Sequence, residues 1–339
     1  GDPARAILFT GARGTGKTVL LNVLEDVAHE AGWAVVSVTA RPGLTDQLTH
    51  VLLPSLLNRH DPDATSSRVT SGSVSVLGVG GGITRTVDEA YEFRPDFRFL
   101  LERLARVLGD KGGGVFLSLD EVHRGPIDES REVFQAVQHC FRRGLDVAVA
   151  AAGLPSGVSD LLNDDVLTFL RRAERHALGF LPEAAVAAAL RQQLTEGGRP
   201  ITPEALAAAV AAVDGYPFLI QLVGFHLWEG APPDSPIGTA EADAAIASAE
   251  ADAGRLVYEP LLAGLSRGDL AFLAAMAQDE ADPSLAADIR SRLPGGGLSQ
   301  YRRRLIDAEV IEPAGRGRVR FAIPGLRDYL RAKASRSAT

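Results

Sequence analysis

The eight residues Gly11-Ala12-Arg13-Gly14-Thr15-Gly16-Lys17-Thr18 match the pattern GxxxxGK[ST], and their flanks restrict what this chain can fold into. Ahead of them lies the short apolar run Ala6-Ile7-Leu8-Phe9. Behind them Leu20, Leu24, Val27, Ala28 and Ala31 recur at helical spacing. Strand, glycine-rich loop and helix in that order make a phosphate-binding loop. The glycines let the backbone curl until its N–H groups converge on an anion, and the helix adds the positive end of its dipole. Gly11, Ala12, Arg13, Gly14, Thr15 and Gly16 are expected to form the cradle, Lys17 to reach the outer phosphates of ATP, and Thr18 to hold Mg²⁺.

Alternating strand and helix patterns continue to about residue 181. Strands are expected at residues 4–10, 34–39, 114–119, 146–152 and 176–180. They read as nearly continuous apolar runs, which a parallel sheet covered on both faces requires. The third run, Val115-Phe116-Leu117-Ser118-Leu119, ends in Asp120-Glu121. An aspartate at a strand end, a domain's length after a phosphate loop, is placed to hold Mg²⁺ opposite Thr18, and the next glutamate to activate a water. Asp120 is therefore the expected metal ligand and Glu121 the expected base. The fourth strand runs into Gly153-Leu154-Pro155-Ser156, where Ser156 either contacts the γ-phosphate or caps the next helix. Arg171 and Arg172, with Arg175 close by, are candidates for an arginine supplied to a neighbouring subunit's nucleotide, or else solvated helix arginines.

Composition narrows the class further. Of 339 residues 46% are hydrophobic and 23% charged, a globular balance with length enough for two or three domains. No apolar run is long enough to span a bilayer and no signal peptide is evident, so a cytoplasmic protein is expected. The chain opens almost on its first strand, so further natural residues are expected ahead of Gly1. The single cysteine, Cys140, shares a helical face with Val133, Val137 and Phe141 and reads as a core thiol. The net charge of −8 is unevenly spread. From Ala286 onward twelve basic residues face five acidic ones, a net of +7, which leaves −15 for the remainder. Such asymmetry points to an anionic partner for the C-terminal part.

Residues 61–95 form an insertion. Val74, Val76 and Val79 ahead of Gly80-Gly81-Gly82, with Ile83 and Val87 beyond, read as a β-hairpin, either an arm for a partner or a passive surface feature. Helices follow from 182 to 254. One is rich in alanine, and another starts at Pro203 with Thr202 as its cap. A third opens at Gly215-Tyr216-Pro217, where Pro217 either lies against adenine or simply starts the helix. Beyond residue 255, Leu270, Leu273 and Ala274, then Leu285, Ile289 and Leu293, then Leu298, Tyr301, Leu305 and Ala308, mark three helices. The alternating run from Gly315 to Ile323 puts Arg316, Arg318 and Arg320 on one face and Val319, Phe321 and Ile323 on the other. Three helices and a hairpin make a winged helix-turn-helix. Its third helix would carry Arg302, Arg303 and Arg304 to double-stranded DNA and its wing Arg316, Arg318 and Arg320, although winged helices also dock proteins.

Taken in order, the phosphate loop, the strand ending in Asp120-Glu121, the strand ending in Gly153-Leu154-Pro155, the helical region and Gly215-Tyr216-Pro217 resemble the initiator and STAND branch of AAA+-type ATPases. That branch includes origin-recognition ATPases, and the resemblance covers essentially the whole chain. It implies a three-layer αβα fold with a parallel sheet ordered 5-1-4-3-2, an all-α lid, ATP between sheet and lid, and a base contact at Pro217. The lid arginine common among AAA+ members is missing from the stretch between Tyr216 and Glu229. The expected organisation is a P-loop core at 1–181, a lid at 182–254 and a winged helix at 255–339. The expected activity is Mg²⁺-dependent ATP hydrolysis that repositions a DNA-binding winged helix, with self-association through a trans arginine. The alternative is a slow STAND-like switch that docks a protein partner.

Overall fold

The computed structural model describes residues 5–61, 95–230, 235–293 and 298–337. The expected hairpin at 61–95 lies almost wholly outside them. The chain divides into two compact units. One comprises Gly1–Thr10 with Thr18–His176, the other Gly11–Lys17 with Ala177–Thr339.

The first unit is built on five strands: β1 (Ala6–Thr10), β2 (Ala34–Thr39), β3 (Val115–Asp120), β4 (Val147–Gly153) and β5 (Glu174–Ala177). Their spatial order is β2-β3-β4-β1-β5, the 5-1-4-3-2 order expected. The pairings β1–β4, β2–β3 and β3–β4 are parallel. Register sets Thr10 beside Gly153 and Thr39 beside Asp120, so the carboxyl ends of these strands form one edge. In open α/β sheets that edge is where ligands bind. Central strands β3 and β4 are buried almost throughout, as covering on both faces demands.

Helices α1 (Lys17–Glu30), α2 (Leu44–Gln47), α3 (Leu53–His60), α4 (Phe97–Gly109), α5 (Ile127–Arg142) and α6 (Pro155–Asn163) belong to this unit, apart from Lys17 itself. Helix α4 starts where the Asp96 carboxylate accepts the Phe99 N–H at 2.8 Å and buries Leu100, Leu101, Leu104 and Leu108. Cys140 lies fully buried on α5, where burial pushes its thiol up to about 12, so it stays an inert core group.

Two expectations need correction. The fifth strand is Glu174–Ala177 and not 176–180, and all four of its residues are exposed. It lies at the sheet edge, where no apolar run is required. On α1 the helix is as expected but its buried face is not. Leu21 is buried, whereas Leu20 and Val27 are exposed. With apolar residues at 19, 20, 21, 23, 24 and 27, periodicity alone does not single out one face.

The second unit holds α7 (Glu183–Glu196), α8 (Pro203–Val213), α9 (Pro217–Gly230) and α10 (Thr239–Ala253), then α11 (Glu259–Ala263), α12 (Arg267–Ala277), α13 (Ala286–Arg292), α14 (Leu298–Asp307) and α15 (Leu326–Ser337). Thr202 caps α8 by accepting the Ala205 N–H, with Pro203 at the first helical position. Strands β6 (Ser284–Leu285), β7 (Ile311–Pro313) and β8 (Arg318–Phe321) form an antiparallel sheet ordered β6-β8-β7. With α12, α13 and α14 it makes the winged helix-turn-helix. One apolar core runs without interruption from Val186 and Leu190 through Tyr216, Tyr258 and Phe272 to Leu326. The Tyr258 hydroxyl donates to the Pro324 carbonyl at 2.7 Å, and its ring meets Tyr329 at 5.1 Å. Helices α7 to α10 and the C-terminal helices and sheet therefore share one apolar core.

Candidate nucleotide site

The loop between β1 and α1 has the backbone its sequence calls for. Gly14 and Gly16 adopt left-handed conformations, with φ of 76° and 89°. A Cβ on Gly16 would meet open space, whereas one on Gly14 would lie 2.2 Å from the Tyr216 hydroxyl. Lys17 is buried, and its ammonium donates to the carbonyls of Gly11 at 2.7 Å and Ala12 at 2.8 Å. The Thr15 hydroxyl donates to the Ala12 carbonyl at 2.8 Å. The Tyr216 hydroxyl donates to the Arg13 carbonyl at 2.8 Å, and the Phe218 N–H donates to the Gly14 carbonyl at 3.1 Å. Pro217 is half-buried at the first position of α9, next to both contacts.

A second group of candidate residues, within the first unit, lies at the start of α1 and the end of β3. The Thr18 hydroxyl donates to Asp120 Oδ2 at 2.6 Å, across 102 residues of sequence. Asp120 Oδ1 accepts the backbone N–H of Glu121 at 2.7 Å. A hydroxyl and a carboxylate converging in this way are the hard oxygen donors that suit Mg²⁺, which takes few protein ligands and completes its shell with water and phosphate oxygens.

Glu121 turns sharply out of the strand, at φ 55°. Its Oε2 pairs with His123 Nε2 at 3.0 Å and Arg124 Nε at 2.9 Å. His123 Nδ1 accepts the Leu154 N–H at 3.3 Å, a bond that puts the ring proton on Nε2, facing Glu121. One histidine thus links the end of β4 to the candidate base. Sequence pattern alone does not mark His123 or Arg124. Their signal is the spacing Glu-x-His-Arg, which acquires meaning only once Glu121 has turned back over them.

The remaining candidates divide. Ser156 lies inside the first turn of α6, whose N-cap position is Leu154. Arg171 donates to the Leu162 carbonyl at 3.1 Å. Arg172 is exposed and has no hydrogen bond or ion pair among the described residues.

Several C-terminal arginines serve the domain itself. Arg304 binds Asp269 Oδ1 through Nη2 at 2.8 Å and Nε at 3.2 Å, reaches Ser266 Oγ at 3.0 Å, and lies 5.3 Å from the Tyr301 ring. Burial works to raise the Asp269 carboxyl. Hydrogen bonds from Ser266 and Arg304 outweigh it and hold the group below the ordinary aspartate value. Arg292, Arg327 and Arg331 are tied to acids or carbonyls of the same domain, and Arg320 pairs with Glu312 on the wing. Arg318 reaches the Pro283 carbonyl at 3.3 Å, and Arg302 is half-buried. Exposed and without such partners among the described residues are Arg290, Arg303 and Arg316, the last between Gly315 and Gly317 at the wing's turn.

Residues 255–330 match the model of a domain of unknown function, DUF8462. No curated protein matches the sequence. Among solved structures, the Walker-type ATPase PABY2304 of Pyrococcus abyssi superposes with a TM-score of 0.65 at 14% identity, over 97% of this chain and 91% of that one. The Aeropyrum pernix ORC2 protein, solved in ADPNP–ADP complexes, gives 0.59 at 15% identity over 98% and 89%. The fold is that of the AAA+ Walker-type ATPases. Both similarities span nearly the whole chain. No helix among the described residues is long and apolar enough to cross a membrane.

Proposed function

We propose that the chain is a Mg²⁺-dependent ATPase whose nucleotide state moves the lid and winged helix together. The observation that carries this reading is the 2.6 Å contact between Thr18 and Asp120, which joins the ends of the two motifs. Residues 11–16 and Lys17 hold the phosphates, Thr18 and Asp120 hold Mg²⁺, and Pro217 lies against the base. When bound there, Mg²⁺ would supply charge neutralisation to the phosphates. Glu121 accepts a proton from the water that attacks the γ-phosphorus, and ADP departs as the bond to the bridging oxygen breaks. To do so Glu121 exchanges its bonds to His123 and Arg124 for one to water. Arg172 is the better placed of the two candidate trans arginines, because Arg171 is engaged by the Leu162 carbonyl.

The continuous core of the second unit supports motion of lid and winged helix as one piece. DNA is the proposed target of the winged helix, held by Arg303 and Arg316 with Arg290, and by Arg302 and Arg318 after local rearrangement. The rival reading, a slow switch that docks a protein, draws on the number of tail arginines already paired within the domain.

The test of hydrolysis is steady-state phosphate release from ATP. Wild-type chain is expected to turn over with Mg²⁺ and to stop when it is chelated. Turnover indifferent to Mg²⁺, or none under any condition, refutes the catalytic part.

A further inference from the structure

The Gly215-Tyr216-Pro217 motif does more than open α9. Phosphate loops bind through amide N–H groups that converge inward, so their carbonyls point outward and need partners of their own. Here the outer partners come from one place. Tyr216 supplies a hydroxyl to Arg13, and Phe218, in the first turn of α9, supplies an N–H that the helix itself leaves unpaired, to Gly14. The Tyr216 ring is 2% exposed and packs beneath Gly14 at a distance only glycine permits. It is held edge-on by Phe180 at 6.3 Å and tilted against Phe218 at 6.0 Å.

We propose that Tyr216 is a positioning residue for phosphate binding, keeping the loop curled for an anion by fixing the Arg13 and Gly14 carbonyls from outside. The proposal rests on the reading of residues 11–18 as a nucleotide loop. Lys17 ties the same loop through the Gly11 and Ala12 carbonyls. When its ammonium turns to phosphate, that tie weakens and the outer one remains. Burial pushes the Tyr216 phenol up to about 12, so the donor keeps its proton at any working pH. Because Tyr216 belongs to the core that continues into the winged helix, the loop is also anchored to the body that nucleotide is proposed to move.

The experiment compares wild type with Tyr216→Phe, which keeps the ring and deletes the donor. Two quantities are read: amide hydrogen exchange of residues 12–16 without nucleotide, and the Kd for ATP and ADP, with KM and kcat alongside. Exchange in the loop is expected to rise roughly tenfold, and Kd and KM to rise by the same factor, while kcat stays within about twofold. Gly14→Ala, which displaces the ring from the loop side, is expected to reproduce the loss of affinity. Unchanged exchange refutes the clamp. Faster exchange with unchanged Kd refutes its role in binding. Failure of wild type to bind either nucleotide is a separate result, which overturns the nucleotide reading and this proposal with it.

Discussion

Arg304→Ala separates structural from DNA-contacting arginines, and its size can be worked from the contacts. The substitution removes two bonds to Asp269, one to Ser266 and the stacking on Tyr301. Breaking a fully buried pair costs about 3–5 kcal/mol, and an exposed pair at most about 1 kcal/mol. This pair lies between, since the Asp269 side chain is 5% exposed and that of Arg304 44%. Asp269 also keeps the Ser266 hydroxyl at 2.6 Å and N–H at 3.1 Å. We expect a loss of about 2 kcal/mol, or about 4–8 °C in the melting of the C-terminal unit. The pH dependence has a definite sign. Because the folded Asp269 carboxyl lies below its unfolded value, its stabilisation is complete above about pH 5, about a unit over the unfolded value, and is lost as pH falls through the folded value. The gap between wild type and Arg304→Ala is therefore constant above about pH 5 and narrows in more acidic solution. Calorimetry across pH measures it. The companion assay is a salt titration of binding to a random-sequence duplex. Arg304→Ala should leave the slope of log K against log salt unchanged, while Arg303→Ala should reduce it by about 0.9 and leave stability within about 0.5 kcal/mol. If Arg304→Ala melts like wild type and flattens the slope by about 0.9, the structural assignment is wrong.

Other predictions concern the site. Glu121→Gln keeps the size of the side chain and removes the base, so kcat should fall by about 10²–10⁴ with KM unchanged; undiminished turnover removes Glu121 from its role. His123→Ala frees Glu121 from one partner and removes the link to Leu154, and is expected to change kcat while leaving the Kd for ATP within about twofold. A tenfold change in Kd with constant kcat would put His123 in binding instead.

What the sequence makes legible here is local. The phosphate loop is eight consecutive residues between a strand and a helix, and the acid pair ends an apolar run, so short windows contain both. Strand order is not in the runs themselves; the resemblance to AAA+-type ATPases implies it, and edge strand β5, polar and exposed, is the one displaced. Contacts between distant segments are not visible in such windows. Tyr216 reaches Arg13 across 203 residues, and nothing near Gly215 marks the hydroxyl as a partner of the loop. Three consecutive arginines point in three directions from α14, and only the position of Asp269 decides that Arg304 faces inward. Glu121 looks like a free base until its turn brings the carboxylate onto His123 and Arg124.

The central claim is that residues 11–18 bind the phosphates of ATP. Equilibrium titration of wild type and Lys17→Ala with ATP in the presence of Mg²⁺ tests it most directly. Lys17→Ala deletes the cation proposed to hold the outer phosphates. Saturable binding at one site by wild type is expected, and a Kd raised about 30-fold or more by the substitution. Equal affinity in the two proteins, or no saturable binding by wild type, would contradict it.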